Sequence, residues 1–197
     1  VIQDENPKMA SSTTPTFGKT ALNWWSGHIG GDTPSAKALS ARLRRSTIPS
    51  QSLSERAVVG LVEAATKELG ADSDAVHALH DPIRLHRVVS VLAHVRVHEK
   101  SALFALAGKA RRGNNPPLSE LRFKRVLSAT GKDIPTAVRR VVQMTDGRAN
   151  VASLATDILF HGEKVLQGWC FDYYQALSRP STRSHDFVSH VQEELQK

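Results

Sequence analysis

With 197 residues, 40% of them hydrophobic, the chain suffices for one large domain or two small ones and buries roughly 70% of its unfolded surface, which excludes a chain disordered throughout. A single cysteine, Cys170, excludes an internal disulfide and cysteine-based zinc sites and points to a reducing cytoplasm; no apolar run approaches the roughly 20 residues of a membrane span, and no secretory leader opens the chain. The 26 Lys and Arg outnumber the 19 Asp and Glu by seven, and that surplus lies in one sector, with ten cations against three acids between Ala105 and Arg148.

Residues 1–17 are rich in Ser, Thr and Pro without periodicity and read as a flexible tail, with residues 1–8 a remnant ahead of a native start at Met9. Beyond the tail the chain reads as helices. Thr33-Pro34 is an N-cap followed by proline at the first helical position, opening a segment to about Ser46. Ser54 opens the next, with Val58, Leu61, Val62, Ala65 and Leu69 on one face and Gly70 as its stop. Asp81-Pro82 repeats the cap-and-proline signal before the run IRLHRVVSVLAHVRVH. SALFALAGKARR follows, then the turn GNNPP at 113–117. Ser119 caps SELRFKRVLSAT, Pro135 begins TAVRRVVQMT, Asn150 caps VASLATDILF, and EKVLQGWCFDYYQALS forms the last long helix. A short helix from Asp186 to Leu195 closes the chain.

No alternating strand pattern stands between turn signals and no fixed-period repeat is present. The expectation is all-α: about eight to ten helices with minimal β, in two small bundles packed together. The N-terminal bundle covers 18–98, the C-terminal bundle 99–178 with a basic face, and 179–197 is a tail with the short helix.

Helical geometry, about 100° per residue, sorts the charged positions. Leu85, Val88, Val89 and Leu92 form a core stripe with Arg84, Arg87, His94 and His98 opposite, and Arg96 fits poorly beside that stripe, which points to an early end of the helix. Phe123, Val126 and Leu127 face inward while Arg122 and Arg125, three apart, face outward. Val138, Val141 and Val142 point in; Arg139, Arg140 and Gln143 point out. A loop of a few residues joins these two helices, so they pack as neighbours and their arginines merge into one basic surface. ALSARLRR adds Arg42, Arg44 and Arg45. Sixteen of the 26 cations are arginine, suited to forked contacts with phosphate, and nothing resembles a base-reading element.

Chemistry is sparse. His94 and His98 have i, i+4 spacing, but Val-Arg-Val between them lacks the glutamate of a zinc-protease helix; His77 and His80 are spaced less well. No nucleophile elbow, phosphate-binding glycine loop or kinase signature occurs. Trp169, Phe171, Tyr173 and Tyr174 read as core packing, Cys170 as a buried structural thiol, and of the adjacent Trp24 and Trp25 only one fits the same core. No catalytic residue, metal or cofactor is expected.

In order along the chain stand Trp24-Trp25, ARLRR (41–45), SELRFKRVL (119–127), AVRRVV (137–142), NVASLATDILF (150–160) and WCFDYY (169–174). This succession resembles the CasB family, the small subunit of the type I-E CRISPR surveillance complex Cascade, over about residues 20–177. The resemblance implies a non-catalytic cytoplasmic protein of two helical bundles, present in two copies along a guide-RNA complex. Its implied partners are the other Cascade subunits, a second copy of itself, the crRNA, and target DNA including the displaced strand, with no membrane. By position in the motifs it implies nucleic-acid contacts at Arg45, Arg122, Arg139 and Arg140. Arg125 and Arg112 follow from the charge pattern alone, and Arg42 and Lys124 complete the candidates. An all-α transcriptional regulator of the TetR-like kind is the alternative, though its N-terminal helix-turn-helix is not evident. A helical metal-dependent hydrolase using His77, His94 or His98 is a third.

Overall fold

Side-chain caps set the starts of five of the eleven described α-helices. The computed structural model describes residues 16–110 and 115–178. Helix α1 (Phe17–His28) begins where the Thr16 hydroxyl accepts from Lys19 N–H, and α2 (Pro34–Arg45) where Thr33 accepts from Ala36 N–H. After α3 (Pro49–Leu53) comes α4 (Arg56–Leu69), ended by Gly70 at φ 87°. Ser73 caps α5 (Asp74–Leu79), and Asp81 caps α6 (Pro82–Leu92) by accepting from Ile83 N–H. Strand β1 (Val97–His98), α7 (Leu103–Gly108) and α8 (Glu120–Leu127) follow. A 3₁₀ turn (Gly131–Asp133) leads into α9 (Ile134–Met144), then β2 (Arg148–Ala149), α10 (Val151–Leu159) capped by Asn150, and α11 (Glu163–Leu177).

The protein is all-α. Among the described residues there are eleven α-helices and one two-residue parallel ladder, Val97 opposite Arg148 and His98 opposite Ala149. No helix among them is long and apolar enough to cross a membrane. Residues 1–15, Arg112 and the helix expected at 186–195 lie outside the described residues, whereas Phe17, read as the end of the tail, is buried as the first residue of α1.

Packing interleaves the two halves of the chain. Helix α10 lies on α1 and α6, while α7 lies on α11 and α9, and α8 on α9. Helix α10 thus packs on elements from before residue 98, and one apolar cluster runs from Phe17 to Tyr173. Glycine permits two close helix–helix approaches. A Cβ on Gly18 would stand 2.8 Å from the Ala152 carbonyl oxygen of α10, and one on Gly108 would stand 2.5 Å from the Tyr173 carbonyl oxygen of α11.

Four expectations need correction. The helix from Pro82 stops at Leu92, short of His94 and His98, expected on its outer face; Val91, Leu92, Ala93 and Val95 are all buried and no single helical face accommodates them. The chain turns there, and Arg96 and Val97 N–H both donate to the Gly147 carbonyl, at 2.7 and 3.1 Å. His94 and His98 consequently share no helix. Ser54 closes α3 instead of opening α4, its N–H donating to Ser50 O. Trp24 and Trp25 are both buried, in different surroundings: Trp24 Nε1 donates to Ala57 O of α4 at 2.6 Å, while the turn at Ile29–Gly30 folds over the Trp25 ring. The C-terminal aromatics divide. Trp169 and Tyr173 enter the core, where Tyr173 stacks on Phe123 at 4.1 Å and its hydroxyl donates to Leu118 O, but Phe171 is 67% exposed, Tyr174 is exposed and Cys170 is half-buried.

Candidate nucleic-acid interface

Helix α8 is short, and its sequence leaves little choice of orientation. Phe123 is fully buried and Val126 nearly so, which fixes Arg122 and Arg125 on the solvent side. Helix α9 buries Val138, Val141 and Val142. With these faces settled, the two helices form a cavity of about 340 Å³. Its floor is Val126, Ala137, Val141 and Met144, and its charged lining is Arg122, Arg125 and Arg140. None of these three arginines has an ion-pair partner among the described residues, whose carboxylate pairs engage other cations.

Two of the expected cations are held by acids. Arg42 forms a two-pronged pair with Glu55, Nε to Oε1 at 2.5 Å and a terminal nitrogen to Oε2 at 2.9 Å. The hydrogen bond from Arg42 holds the Glu55 carboxyl below its ordinary range, against a smaller opposing effect of burial. Lys124 pairs with Glu120 one turn earlier at 2.9 Å, and each pushes the other toward its charged form. Arg148, part of the same basic sector, donates to Glu99 Oε1 from Nε at 2.7 Å.

Arg139 and Arg140 separate because adjacent helical residues point about 100° apart. Arg139 is half-buried, Nε donating to Pro135 O at 3.1 Å, and burial lowers its pKa. Its charge falls on His86 and His94. Both imidazoles have lowered pKa values, first through burial and then through Arg139, with Arg87 adding to the effect at His86 and Arg44 at His94. Arg45 is exposed at the end of α2 and has no ion-pair partner among the described residues.

A second cleft, of about 400 Å³, is lined by Arg44, His94, Arg96, Gln143, Asp146 and Gly147. It brings α2, the turn after α6 and the end of α9 together. Arg44 and Arg96 were outside the candidate set; the signal for Arg96 was its poor fit to a helix continued past Leu92.

The histidines named as possible metal ligands do not converge. His77 lines a third cleft with Asp74 and Asp81, the His94 ring donates to Ser90 O at 2.9 Å, and His98 Nδ1 accepts from Val151 N–H at the start of α10.

A sequence model described as CRISPR-associated protein Cse2 matches residues 39–174, a span that includes α8, α9 and the cavity between them. Curated protein sequences give no match. Among solved structures, the fold is similar to a chain in the crystal structure of E. coli Cascade bound to a PAM-containing double-stranded DNA target. The TM-score is 0.56 at 17% identity, over 81% of this chain and 97% of that one.

Proposed function

The chain belongs to the Cse2 family of CRISPR-associated proteins, the family its motifs resemble under the name CasB, and from that premise we propose that it is the small, non-catalytic subunit of a type I-E surveillance complex. In this reading it stabilises the R-loop through arginine contacts to phosphates, alongside the other Cascade subunits and a second copy of itself, with crRNA and target DNA as ligands. The displaced strand is the polyanion it holds.

The observation that carries the reading is the convergence of Arg122, Arg125 and Arg140 on one cavity without carboxylate partners among the described residues. The three guanidinium groups are exposed and crowded at one site, where an anion relieves their mutual repulsion, and a strand supplies several phosphates at regular spacing. Arg45 extends the contacts toward α2. Arg139 acts from within the fold, tilting His86 and His94 toward their neutral forms. Arg42 and Lys124 remain paired with Glu55 and Glu120 and so add little to the phosphate contacts. Replacing duplex by guide–target hybrid is nearly balanced in free energy, so a few backbone contacts tip it.

The test is a complex reconstituted with Arg122→Glu, Arg125→Glu and Arg140→Glu together. Guide binding and assembly persist, while permanganate reactivity of unpaired thymines in the displaced strand falls or decays faster. Normal assembly with an unchanged R-loop lifetime contradicts the reading.

A further inference from the structure

Phosphate contacts explain the arginines around the cavity but not its floor. Between α8 and α9 the cations surround Val126, Ala137, Val141 and Met144, and no amide, hydroxyl or carboxylate side chain enters the lining. A duplex presents phosphates and groove edges while its base faces stay stacked inside, so a duplex bridging Arg122, Arg125 and Arg140 leaves the apolar floor wet. An unstacked base has a flat, poorly hydrated face that covers such a floor. The cavity, at about 340 Å³, is of the size that holds small ligands.

We propose that this groove holds one unstacked base of a single strand on Val126, Ala137, Val141 and Met144 while Arg122, Arg125 and Arg140 hold the adjoining phosphates; the inference rests on the nucleic-acid reading above. The occupant is chosen by charge complementarity. Three cations without acid partners among the described residues call for closely spaced anions, and a strand joins each anion to a base. Guanidinium planes stack on bases, so an arginine covers the face the floor leaves open. Met144 supplies a flexible thioether that adapts to purine or pyrimidine. With no acceptor side chain in the lining, base identity is read weakly, and the groove discriminates strand state rather than sequence.

Binding of the full chain to an oligothymidine strand, to a fully abasic deoxyribose-phosphate strand of equal length, and to a duplex tests this at one salt concentration. The abasic strand keeps every phosphate and removes every base. The oligothymidine binds about tenfold tighter than the abasic strand. Ala137→Leu, which fills the groove, brings that ratio close to one while leaving the dependence of affinity on salt unchanged, because the arginines remain. Equal affinity of the two single strands in the unmodified protein overturns the inference and leaves the phosphate reading standing. Tighter binding of the duplex than of oligothymidine also overturns it. Binding of none of the three overturns both the inference and the nucleic-acid reading on which it rests. The unmodified protein carries the comparison even where Ala137→Leu fails to fold, as its circular dichroism reveals.

Discussion

ARLRR at 41–45 and LRFKR at 121–125 each place three cations in five residues of an amphipathic helix. Folding separates them. In the first, Arg42 is clamped by Glu55, Arg44 turns into the cleft with His94 and Arg96, and only Arg45 stands exposed without a partner among the described residues. In the second, Lys124 is held by Glu120, but Arg122 and Arg125 converge with Arg140 of the neighbouring helix over an apolar floor. Equal charge density in sequence yields one dispersed set and one concentrated set. The difference is made by carboxylates and helices that meet each segment only in the folded chain.

The concentrated set depends on the inward face of α9, so the largest expected effect comes from destroying that face. Val138→Asp places an unpaired charge at a fully buried position and removes on the order of 4 kcal/mol or more from a total of roughly 5–15 kcal/mol. Thermal unfolding followed by circular dichroism shows a collapse of the transition. A melting temperature close to that of the unmodified protein means the faces of α9 are assigned wrongly, and with them the groove.

A smaller effect separates Arg139 from its neighbour. Arg139→Ala removes a positive charge from His86 and His94, so the pKa of both imidazoles rises, while Arg140→Ala leaves both where they are. Folded-state histidine pKa values below the unfolded ones oppose folding as pH falls through the unfolded value toward the folded one; Arg139→Ala therefore weakens the loss of stability on acidification through these two groups. Histidine ring resonances titrated by NMR decide it. Equal shifts in both variants place the two arginines on one face.

What the sequence carried, it carried through short-range signals. Thr33-Pro34, Asp81-Pro82 and Asn150 mark helix starts because a cap acts within three residues of itself, and the inward stripe of Val138, Val141 and Val142 is visible because helical period is local. The early end of α6 was signalled by Arg96, but its place at Leu92 was not. Beyond it, Val97 and His98 pair with a strand some fifty positions later, and a run such as VLAHVRV keeps a helical appearance until that partner is known. The same limit governs the interface. Arg122 and Arg125 were readable as outward, but that Glu55 removes Arg42 and that Arg139 turns toward two histidines are long-range facts. The apolar floor was unreadable for a related reason: Ala137 and Met144 look like peripheral core until α8 is set beside α9.

The most direct test of the concentrated set is the salt dependence of single-strand binding. Each phosphate neutralised on a single strand contributes about 0.7 to the slope of log affinity against log salt. Substituting Arg122, Arg125 and Arg140 by Gln together flattens that slope by about 2, whereas Arg42→Gln leaves it nearly unchanged, because Glu55 already neutralises that guanidinium. A slope untouched by the triple substitution, or flattened as strongly per residue by Arg42→Gln, contradicts the account.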